Sequence, residues 1–473
     1  MIESIVRIEN ISIHNFKNVV SGEISLLNSR KDYKASVVGL YGQNGSGKTA
    51  LVNAIALLKL ALCGQSIPLK YGDYINVDAE SSDLKFVLRV NNPKENSTYT
   101  VNYEFSIKKE VDSSSQNTKT TDSDIEKCKV IIFNEVLSYS YSYEKDKDDA
   151  NRKQRVVDTR TEDVFVPKTK YDLLTNKNKA VTTDLLVAKK LAYATSRSFI
   201  FSKELLGVLR SNCKVEWHLF LFESLVHYGN FNLFVINTTN SGLISMNALP
   251  LAFKYEEKNM GAVGNLTIPL DGTATIPQDA VDLVKKLTQN MNIVLNQLVP
   301  GLTISIKELG VQTLKNGKVG CKIELISHKN NKEIPLRYES DGIKKIISIL
   351  QLLIVIYNKS SITVAIDELD AGVFEYLLGE LLRIISEKGK GQLVFTSHNL
   401  RPLETLDKGF IAFTTTNPTN RYIRLNNVKT NHNLRDFYYR DIMLGEQNEE
   451  VYEQTNNYEI SLAFREAGEF SGS

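Results

Sequence analysis

The sequence predicts a mixed α/β fold that carries an antiparallel β subdomain and a mostly helical insertion. Three features predict it. A glycine-rich loop stands between a β-branched run and a helical run near residue 45, alternating apolar and polar residues fill much of the stretch from 5 to 110, and a helical periodicity takes over between 183 and 298. Two later apolar runs end in carboxylates or other polar groups. The polar loops at these run ends are the natural place to look for a ligand site.

The glycine-rich loop runs from Gly42 to Thr49 and fits the pattern G-x-x-x-x-G-K-[ST] without a gap. The run before it, 35–41, has the composition of a buried strand, and the run after it, 50–58, that of a helix. Glycines let backbone N–H groups converge on phosphates, and the helix N-terminus adds partial positive charge. We therefore predict ATP or GTP binding, with Lys48 on the β- and γ-phosphates and Thr49 on Mg²⁺. A glycine-rich turn that fits by chance is the alternative.

The composition is that of an ordinary soluble protein with room for two or three domains: 473 residues, 42% hydrophobic and 24% charged. A net charge of +2 argues against a protein dominated by a polyanion-binding surface. The sequence has no apolar run long enough for a membrane span, and its start lacks signal-peptide features, so we expect a cytoplasmic protein. The four cysteines are dispersed and predict neither disulfides nor a zinc site.

The first third of the chain reads as β structure around the glycine-rich loop. Strands are expected within 5–26, and the runs 84–90 and 99–107 alternate cleanly, which predicts an antiparallel pair beside the nucleotide. The polar stretch 112–127 and the charged stretch 144–162 read as surface loops. We place an N-terminal ATPase lobe at 1–175.

A mostly helical insertion is predicted at 176–300, because apolar residues recur at helical spacing from 183 onward. It lacks sustained heptads, which argues against a long coiled-coil arm. A helix at 280–298 ends before Pro300, and strands at 302–308 and 318–327 lead into a C-terminal lobe at 301–430. An acidic segment, 431–473, completes the chain.

An apolar run that starts at residue 361 ends in Asp367 and Glu368, which is the form of a Walker B strand. In that arrangement Asp367 holds the Mg²⁺ shell and Glu368 orients or deprotonates the attacking water. An ordinary strand that meets a solvated turn would have the same composition. The preceding P-loop and the following Asp370 favour the catalytic interpretation.

Two further stretches complete the predicted site. A second buried run, 392–397, is followed by His398, which could contact the γ-phosphate or its water, or could be structural. Upstream, Ser340 and Gly342 precede an apolar helix at 346–356. A helix N-terminus of this kind can bind an anion, although Ser is also favoured there as a plain N-cap.

These motifs, in this order, resemble the ABC-type ATPase heads of the RecF/SMC/OLD class. The resemblance rests on Gly42–Thr49, Ser340-Asp341-Gly342, Asp367-Glu368-Leu369-Asp370 and Thr396-Ser397-His398, with Ile11-Ser12-Ile13-His14-Asn15-Phe16-Lys17-Asn18 similar to the first strand of those heads. Ser-Asp-Gly stands where transporters have LSGGQ, which points to the OLD-like branch of prokaryotic defence ATPases, such as the AAA-type ATPase of the PARIS system. The resemblance covers roughly 1–140 and 300–430.

The resemblance implies an ABC-type P-loop ATPase head that uses ATP and Mg²⁺. It implies that ATP is sandwiched between two copies, with Ser340 of one chain on the γ-phosphate held by Lys48 of the other, so that a dimer or higher homo-oligomer depends on ATP. The glutamine of the family's Q-loop has no clear counterpart; Glu135 lies in about the right region but is the wrong residue type. The expected nucleotide ligands are Asn44, Gly45, Ser46, Gly47, Lys48, Thr49, Ser340, Gly342 and Asp370; the expected metal ligands are Thr49 and Asp367; the expected catalytic groups are Glu368 and His398.

The leading functional hypothesis is an ATPase switch subunit of an anti-phage system that responds to a phage-encoded trigger and controls a separate effector, such as a TOPRIM-type nuclease. The segment from 431 onward shows no TOPRIM-like acidic motifs of its own. The rival hypotheses are a RecF- or SMC-like DNA repair ATPase and a scaffold that binds nucleotide without hydrolysis; a transporter subunit is disfavoured by the missing LSGGQ.

The acidic end of the chain is left with two interpretations. Tyr452, Tyr458, Leu462 and Phe464 could dock on a basic partner, or they could pack as a terminal helix on the protein's own core.

Overall fold

The computed structural model describes residues 4–27, 34–111, 128–143, 153–161, 168–178, 180–237, 248–257, 260–314, 317–425, 433–444 and 449–470. The predicted loop at 112–127 and most of the charged stretch 144–162 lie outside the described residues. Within the described part, none of the helices is long and apolar enough to cross a membrane.

The N-terminal lobe is built on a six-stranded antiparallel sheet with the spatial order β2-β1-β4-β5-β6-β7. Its inner face is apolar because alternate residues of each strand point the same way. The strands are β1 (Ile5–Phe16), β2 (Val19–Ser25), β4 (Ser81–Asn92), β5 (Ser97–Val111), β6 (Cys128–Tyr143) and β7 (Gln154–Asp158). The predicted antiparallel pair is thus confirmed as β4 and β5.

A second six-stranded sheet has the order β18-β17-β3-β16-β15-β8. Its five strands from β17 to β8 pair in parallel, so their carboxyl ends share one edge. Most of their residues are buried, as expected for a sheet covered on both faces. The strands are β3 (Ser36–Tyr41), β8 (Leu233–Ile236), β15 (Thr363–Ile366), β16 (Gln392–Thr396), β17 (Ile411–Thr414) and β18 (Tyr422–Ile423).

The remaining strands form two smaller sheets. A hairpin pairs β9 (Ala248–Glu257) with β10 (Met260–Pro269). The other sheet has the order β11-β13-β12, with β14 paired to β13. Its strands are β11 (Thr273–Pro277), β12 (Thr303–Thr313), β13 (Val319–Lys329) and β14 (Lys332–Pro335).

Helix α1 (Lys48–Leu62) is the central helix of the fold. Every residue of it except Thr49 is buried, which explains why its sequence is apolar on all sides. The other helices are α2 (Lys168–Thr175), α3 (Ala180–Ala194), α4 (Lys203–Asn212), α5 (Glu216–His227), α6 (Val281–Leu298), α7 (Asp341–Asn358), α8 (Glu375–Lys388), α9 (Pro402–Thr405), α10 (Leu434–Leu444) and α11 (Asn457–Phe470). The predicted mixed α/β fold, with a P-loop sheet beside an antiparallel sheet, is confirmed.

The structure differs from the sequence-based prediction at two places, and it argues against one of the two interpretations of the acidic end. The region predicted as mostly helical is helical at 180–227 and 281–298, but it also contains β8, which belongs to the parallel sheet, and β9 to β11. The charged stretch read as a loop contains β7, which pairs with β6. Helix α11 does not pack on the core: Tyr458 and Phe464 are each 77% exposed, whereas Tyr452 just before it is partly buried.

Candidate functional site

A cavity of about 440 Å³ lies at the carboxyl edge of the parallel sheet, where β3, β15 and β16 end. It brings together the predicted P-loop, the two Walker B carboxylates and His398. The residues that line it are Lys17, Asn18, Asn44, Gly45, Gly47, Lys48, Thr49, Ala50, Asp367, Glu368, Thr396 and His398.

The P-loop adopts its conformation because glycine is required at several of its positions. Gly42, Gly45 and Gly47 have φ angles of 148°, 78° and 96°, which residues with a side chain rarely adopt. At Gly42 a Cβ would lie 1.9 Å from the Thr414 side-chain oxygen, so the loop could not approach β17 with any larger residue. Gly47 caps α1 without a side-chain hydrogen bond, so no capping side chain stands between the start of the helix and an anion.

The Lys48 amine is held inside the loop. Its Nζ donates to the carbonyl oxygens of Gly42 at 2.8 Å and Gln43 at 2.9 Å. Burial lowers the pKa of Lys48 to about 8, and the carboxylates of Asp367, Glu368 and Asp370 oppose that shift. The phosphates of a triphosphate bound in the cavity would add negative charge next to this amine and so favour its protonated form.

Thr49 and Asp367 form an oxygen-rich pair next to the P-loop. The Thr49 hydroxyl donates to Asp367 Oδ1 at 3.4 Å, and the Thr396 hydroxyl donates to the same oxygen at 2.7 Å. Asp367 is 1% exposed. A hydroxyl and a carboxylate with room for phosphate oxygens and water is the donor set that Mg²⁺ prefers, so the residues present fit the metal.

Glu368 has the opposite surroundings from its neighbour Asp367. Its side chain is exposed and lines the cavity, while its backbone has a φ of 50°. The Glu368 N–H donates to Thr396 Oγ1 at 2.8 Å, which fixes this turn. The left-handed turn directs Asp367 inward and Glu368 into the cavity, and it costs about 1–3 kcal/mol for a residue that is not glycine. Such strain is typical of residues whose position serves a reaction.

Asp370 is close to the site but does not line the cavity. Its Oδ2 accepts hydrogen bonds from the backbone N–H groups of His398 at 3.0 Å and Asn399 at 2.9 Å. The His398 side chain is exposed and does line the cavity. Asp370 therefore positions the backbone of His398. A direct contact between Asp370 and a nucleotide remains a prediction.

Ser340 and Gly342 also lie outside the cavity. Ser340 is the N-cap of α7, and its hydroxyl accepts from the Ile343 N–H at 3.4 Å. A Cβ on Gly342 would lie 2.4 Å from the carbonyl oxygen of Gly372, so glycine is required for the helix start to pack on the loop after Asp370. Ser340 itself is exposed. These two residues cannot be part of the nucleotide cavity that their own chain forms.

Lys17 and Asn18 line the cavity although they were not among the predicted ligands. Lys17 has a φ of 54° and its Nζ lies 4.1 Å from the centre of the Tyr74 ring. Burial lowers the pKa of Lys17, and Asp367 is the main opposing charge. The signal was present in the sequence, since these residues belong to the element that resembled the first strand of ATPase heads.

Asn237 was also missed, because β8 was not recognised as a strand of this sheet. It directly follows β8, and the Asp367 N–H donates to the carbonyl oxygen of the adjacent Ile236 at 2.9 Å. The Asn237 side chain is 4% exposed and donates to Asn53 Oδ1 at 3.2 Å, and its own Oδ1 is buried without a partner. An orphaned buried amide oxygen is a group that needs a polar partner such as a water molecule.

Glu135, considered as a substitute for the Q-loop glutamine, is elsewhere. It is 2% exposed on β6 and accepts hydrogen bonds from the Tyr103 hydroxyl at 2.7 Å, the Phe199 N–H at 2.7 Å and the Ser198 hydroxyl. Burial raises its pKa against these donors. The carboxylate anchors the segment between α3 and α4 to the antiparallel sheet, so it is structural.

Comparison with known proteins supports a nucleotide-binding domain. Residues 10–203 match the family model described as an AAA domain. This range contains the P-loop and most of the antiparallel sheet. The match agrees with the P-loop ATPase class predicted from the sequence. No curated protein matches the chain.

Solved structures with a similar fold include heads of SMC proteins and a RecF protein. The SMC head domain from Thermotoga maritima is 13% identical, with 89% of this chain and 99% of that chain covered and a TM-score of 0.35. An SMC head bound to the C-winged helix domain of ScpA is 11% identical, with 88% and 97% covered and a TM-score of 0.38. The recombination mediator RecF is 12% identical, with 88% and 98% covered and a TM-score of 0.35. At these scores the likenesses carry no functional argument.

Proposed function

We propose that the protein is an ATP-binding and ATP-hydrolysing switch subunit of an anti-phage defence complex. The observation that carries the ATPase part is the convergence of Lys48, Thr49, Asp367, Glu368 and His398 on one cavity. Lys48 and the start of α1 bind the phosphates, Thr49 and Asp367 hold Mg²⁺, and Glu368 orients or deprotonates the attacking water. Mg²⁺ supplies charge neutralisation between the β- and γ-phosphates when bound.

The switch part of the proposal is supported by the position of Ser340 and Gly342. They lie outside the cavity of their own chain, and Ser340 stands exposed at the start of the eighteen-residue helix α7. A second copy that presents this helix start to the γ-phosphate would complete the site. Assembly would then depend on ATP, and hydrolysis would release it.

A separate effector is favoured because the described residues offer no second cluster for metal-dependent chemistry beside the ATP site. Among the described residues no cluster of three or more His, Cys, Asp or Glu side chains could hold a further metal ion. The carboxylates Asp367 and Glu368 are committed to ATP. We therefore place any phage-directed chemistry, such as a TOPRIM-type nuclease, on another protein that this switch holds or releases, with a phage-encoded molecule as the trigger.

Turnover measurements test the ATPase part. The wild-type protein should hydrolyse ATP in the presence of Mg²⁺, and Glu368→Gln should lower kcat by about 100-fold or more while ATP still binds, because only activation of the water is lost. Normal turnover in Glu368→Gln would remove Glu368 from the mechanism. Absence of turnover in the wild type, alone and with nucleic acid, would favour the non-hydrolysing scaffold.

Mixing two inactive variants tests the shared site. Ser340→Arg blocks the contribution to the neighbour, and Lys48→Ala removes the phosphate ligand. A mixed dimer keeps one intact site, so ATPase activity should reappear when the two proteins exchange subunits. If no activity returns while exchange is verified by labelled subunits, Ser340 does not act across chains.

Incubation with plasmid, single-stranded DNA and tRNA in ATP-Mg²⁺ tests the division of labour. We expect no cleavage. Cleavage that survives stringent purification and every ATPase-site variant would reveal a nuclease in this chain. Tight, salt-dependent DNA binding without cleavage would favour the alternative function, a RecF- or SMC-like DNA repair ATPase, because that class acts on DNA directly.

A further inference from the structure

Lys345 is a buried lysine that the proposed mechanism does not use. It lies on α7, five residues after Ser340, and is 3% exposed. Its Nζ donates to the main-chain oxygen of Glu368 at 3.4 Å. The carboxylates of Asp370, Glu368 and Asp367 are the charges that face it. A buried ammonium is retained only where such partners compensate for its desolvation.

The residue that Lys345 contacts has a strained backbone. Glu368 has a φ of 50°, in a region that residues with a side chain avoid. Its N–H donates to Thr396 Oγ1 at 2.8 Å, and its carbonyl oxygen accepts from Lys345 Nζ at 3.4 Å and from the Ala371 N–H at 3.2 Å. The Ala371 bond is local to the turn, so the bonds that tie Glu368 to other elements are the one to β16 and the one from α7, and these hold the turn that directs the Glu368 side chain into the cavity.

Helix α7 makes a second contact with the same loop. Gly342 packs so closely on Gly372 that an added Cβ would lie 2.4 Å from the Gly372 carbonyl oxygen. Gly372 itself has a φ of 76°. The start of α7 and the segment from Glu368 to Gly372 therefore form one packed unit. A displacement of the helix start would also displace the turn at Glu368.

We propose that Lys345 is a positioning residue that holds the Glu368 turn from α7, so that a contact made by Ser340 at the start of the same helix sets the placement of the hydrolytic carboxylate. The inference rests on the proposed ATPase function. It makes hydrolysis sensitive to assembly: the turn is correctly placed when the helix start is engaged by the neighbouring copy's nucleotide.

Steady-state and single-turnover ATP hydrolysis by the full chain test this role. Lys345→Gln should lower kcat by about 10- to 100-fold, since small misplacements of a catalytic group have effects of that size, and should leave ATP affinity unchanged. Lys345→Arg keeps the charge and the donor and should recover most of the activity. Lys359→Gln removes an exposed lysine at the other end of α7 and should behave as the wild type.

Two double variants separate positioning from a general structural role. In the Glu368→Gln background, Lys345→Gln should cause no further loss of residual single-turnover rate, because the carboxylate that it positions is gone. With Ser340→Ala, the combined loss should be smaller than the product of the single losses, because both residues act through the same turn. Multiplicative losses in both cycles would contradict the inference.

The outcomes also separate this inference from the proposed function. A wild-type protein without turnover overturns the ATPase proposal. A wild-type protein that turns over while folded Lys345→Gln has the same kcat overturns the role of Lys345 alone. A folded Lys345→Arg that is no more active than Lys345→Gln overturns it as well, as does a loss of ATP affinity at unchanged kcat.

Discussion

Two glutamates in two regions of the molecule show how the same side chain serves different purposes. Glu135 lies on the antiparallel sheet, is 2% exposed, and has hydrogen-bond donors from Tyr103, Ser198 and Phe199. Glu368 lies at the edge of the parallel sheet on a strained turn, and its side chain is exposed to the cavity. A carboxylate whose hydrogen-bond donors are all supplied by the fold stabilises that fold. One that the fold leaves exposed, at an energetic cost, is available for chemistry.

The same contrast holds for the regions around them. The edge of the parallel sheet collects lysines, carboxylates and the N-terminus of α1 around open space. The antiparallel sheet and the helices that pack on it place their polar groups in buried contacts with one another. An example is the cluster in which His218 Nε2 lies 3.2 Å from the Tyr139 hydroxyl and 3.4 Å from Lys170 Nζ. Substitutions in the first region should change nucleotide chemistry, and those in the second should change stability.

The largest effect is expected for the P-loop lysine. Lys48→Ala removes the ammonium that binds the β- and γ-phosphates, and nucleotide affinity should fall by about 100-fold or more, which corresponds to the loss of strong charged hydrogen bonds. Titration with a fluorescent ATP analogue measures it, with Lys359→Ala as an exposed-lysine control. Affinity within threefold of the wild type would show that the cavity is not the nucleotide site.

The next effect is on stability and concerns Glu135. Glu135→Ala removes the carboxylate that accepts from three buried donors and should destabilise the N-terminal lobe by about 3 kcal/mol, whereas Glu135→Gln keeps one acceptor oxygen and should cost less. Unfolding in denaturant can be followed by the fluorescence of Trp217, the single tryptophan, which lies on α5 and packs against Tyr139 and Tyr141 of β6. The kcat of the folded protein should not change. A loss of kcat without a loss of stability would show that Glu135 has a role in catalysis.

A smaller effect is expected from pH. Burial, with a contribution from Lys170, lowers the pKa of His218 to about 4, below the value of 6.5 expected in the unfolded chain. The unfolded state therefore binds more protons between these values, so stability is intact above pH 6.5 and falls as pH drops toward 4. At pH 5 the loss from this residue should be about 2 kcal/mol.

The groups that contact His218 are Tyr139, Lys170 and Trp217, and Gln154 accepts hydrogen bonds from both Tyr139 and Lys170. The matched variant His218→Gln should remove this part of the acid sensitivity when unfolding is compared at pH 7 and pH 5. An equal acid sensitivity in wild type and variant would show that His218 is protonated in the folded state.

Most of the parallel-sheet site could be predicted from the sequence because its residues follow one another in short motifs. The P-loop, Asp367-Glu368 and His398 each stand at the end of a recognisable apolar run, and the fold brings those ends to one edge. What the motifs could not show is which residues approach from other elements. Lys17 lines the cavity from a turn, Asn237 follows the strand next to β15, and Lys345 contacts the Glu368 main chain from a helix. Only the topology brings these elements near the motifs.

The errors in the fold have physical reasons. Strand β8 is four apolar residues long, and a run of that length cannot be assigned to strand or helix by periodicity. Strand β7 has two valines in a charged stretch, and it is a strand because β6 offers it a partner. Packing of helix α11 on the core was one of two interpretations of the acidic end, and the helix is exposed because its apolar residues alone do not specify which surface covers them.

The most direct test of the account is the mass of Glu368→Gln in solution with and without ATP-Mg²⁺. Light scattering should show a mass that at least doubles when ATP is added, does not change with ADP, and does not change when Lys48→Ala is combined with it. A Glu368→Gln protein that binds ATP but has the same mass without nucleotide, with ADP and with ATP-Mg²⁺ would contradict ATP-dependent assembly through a shared site.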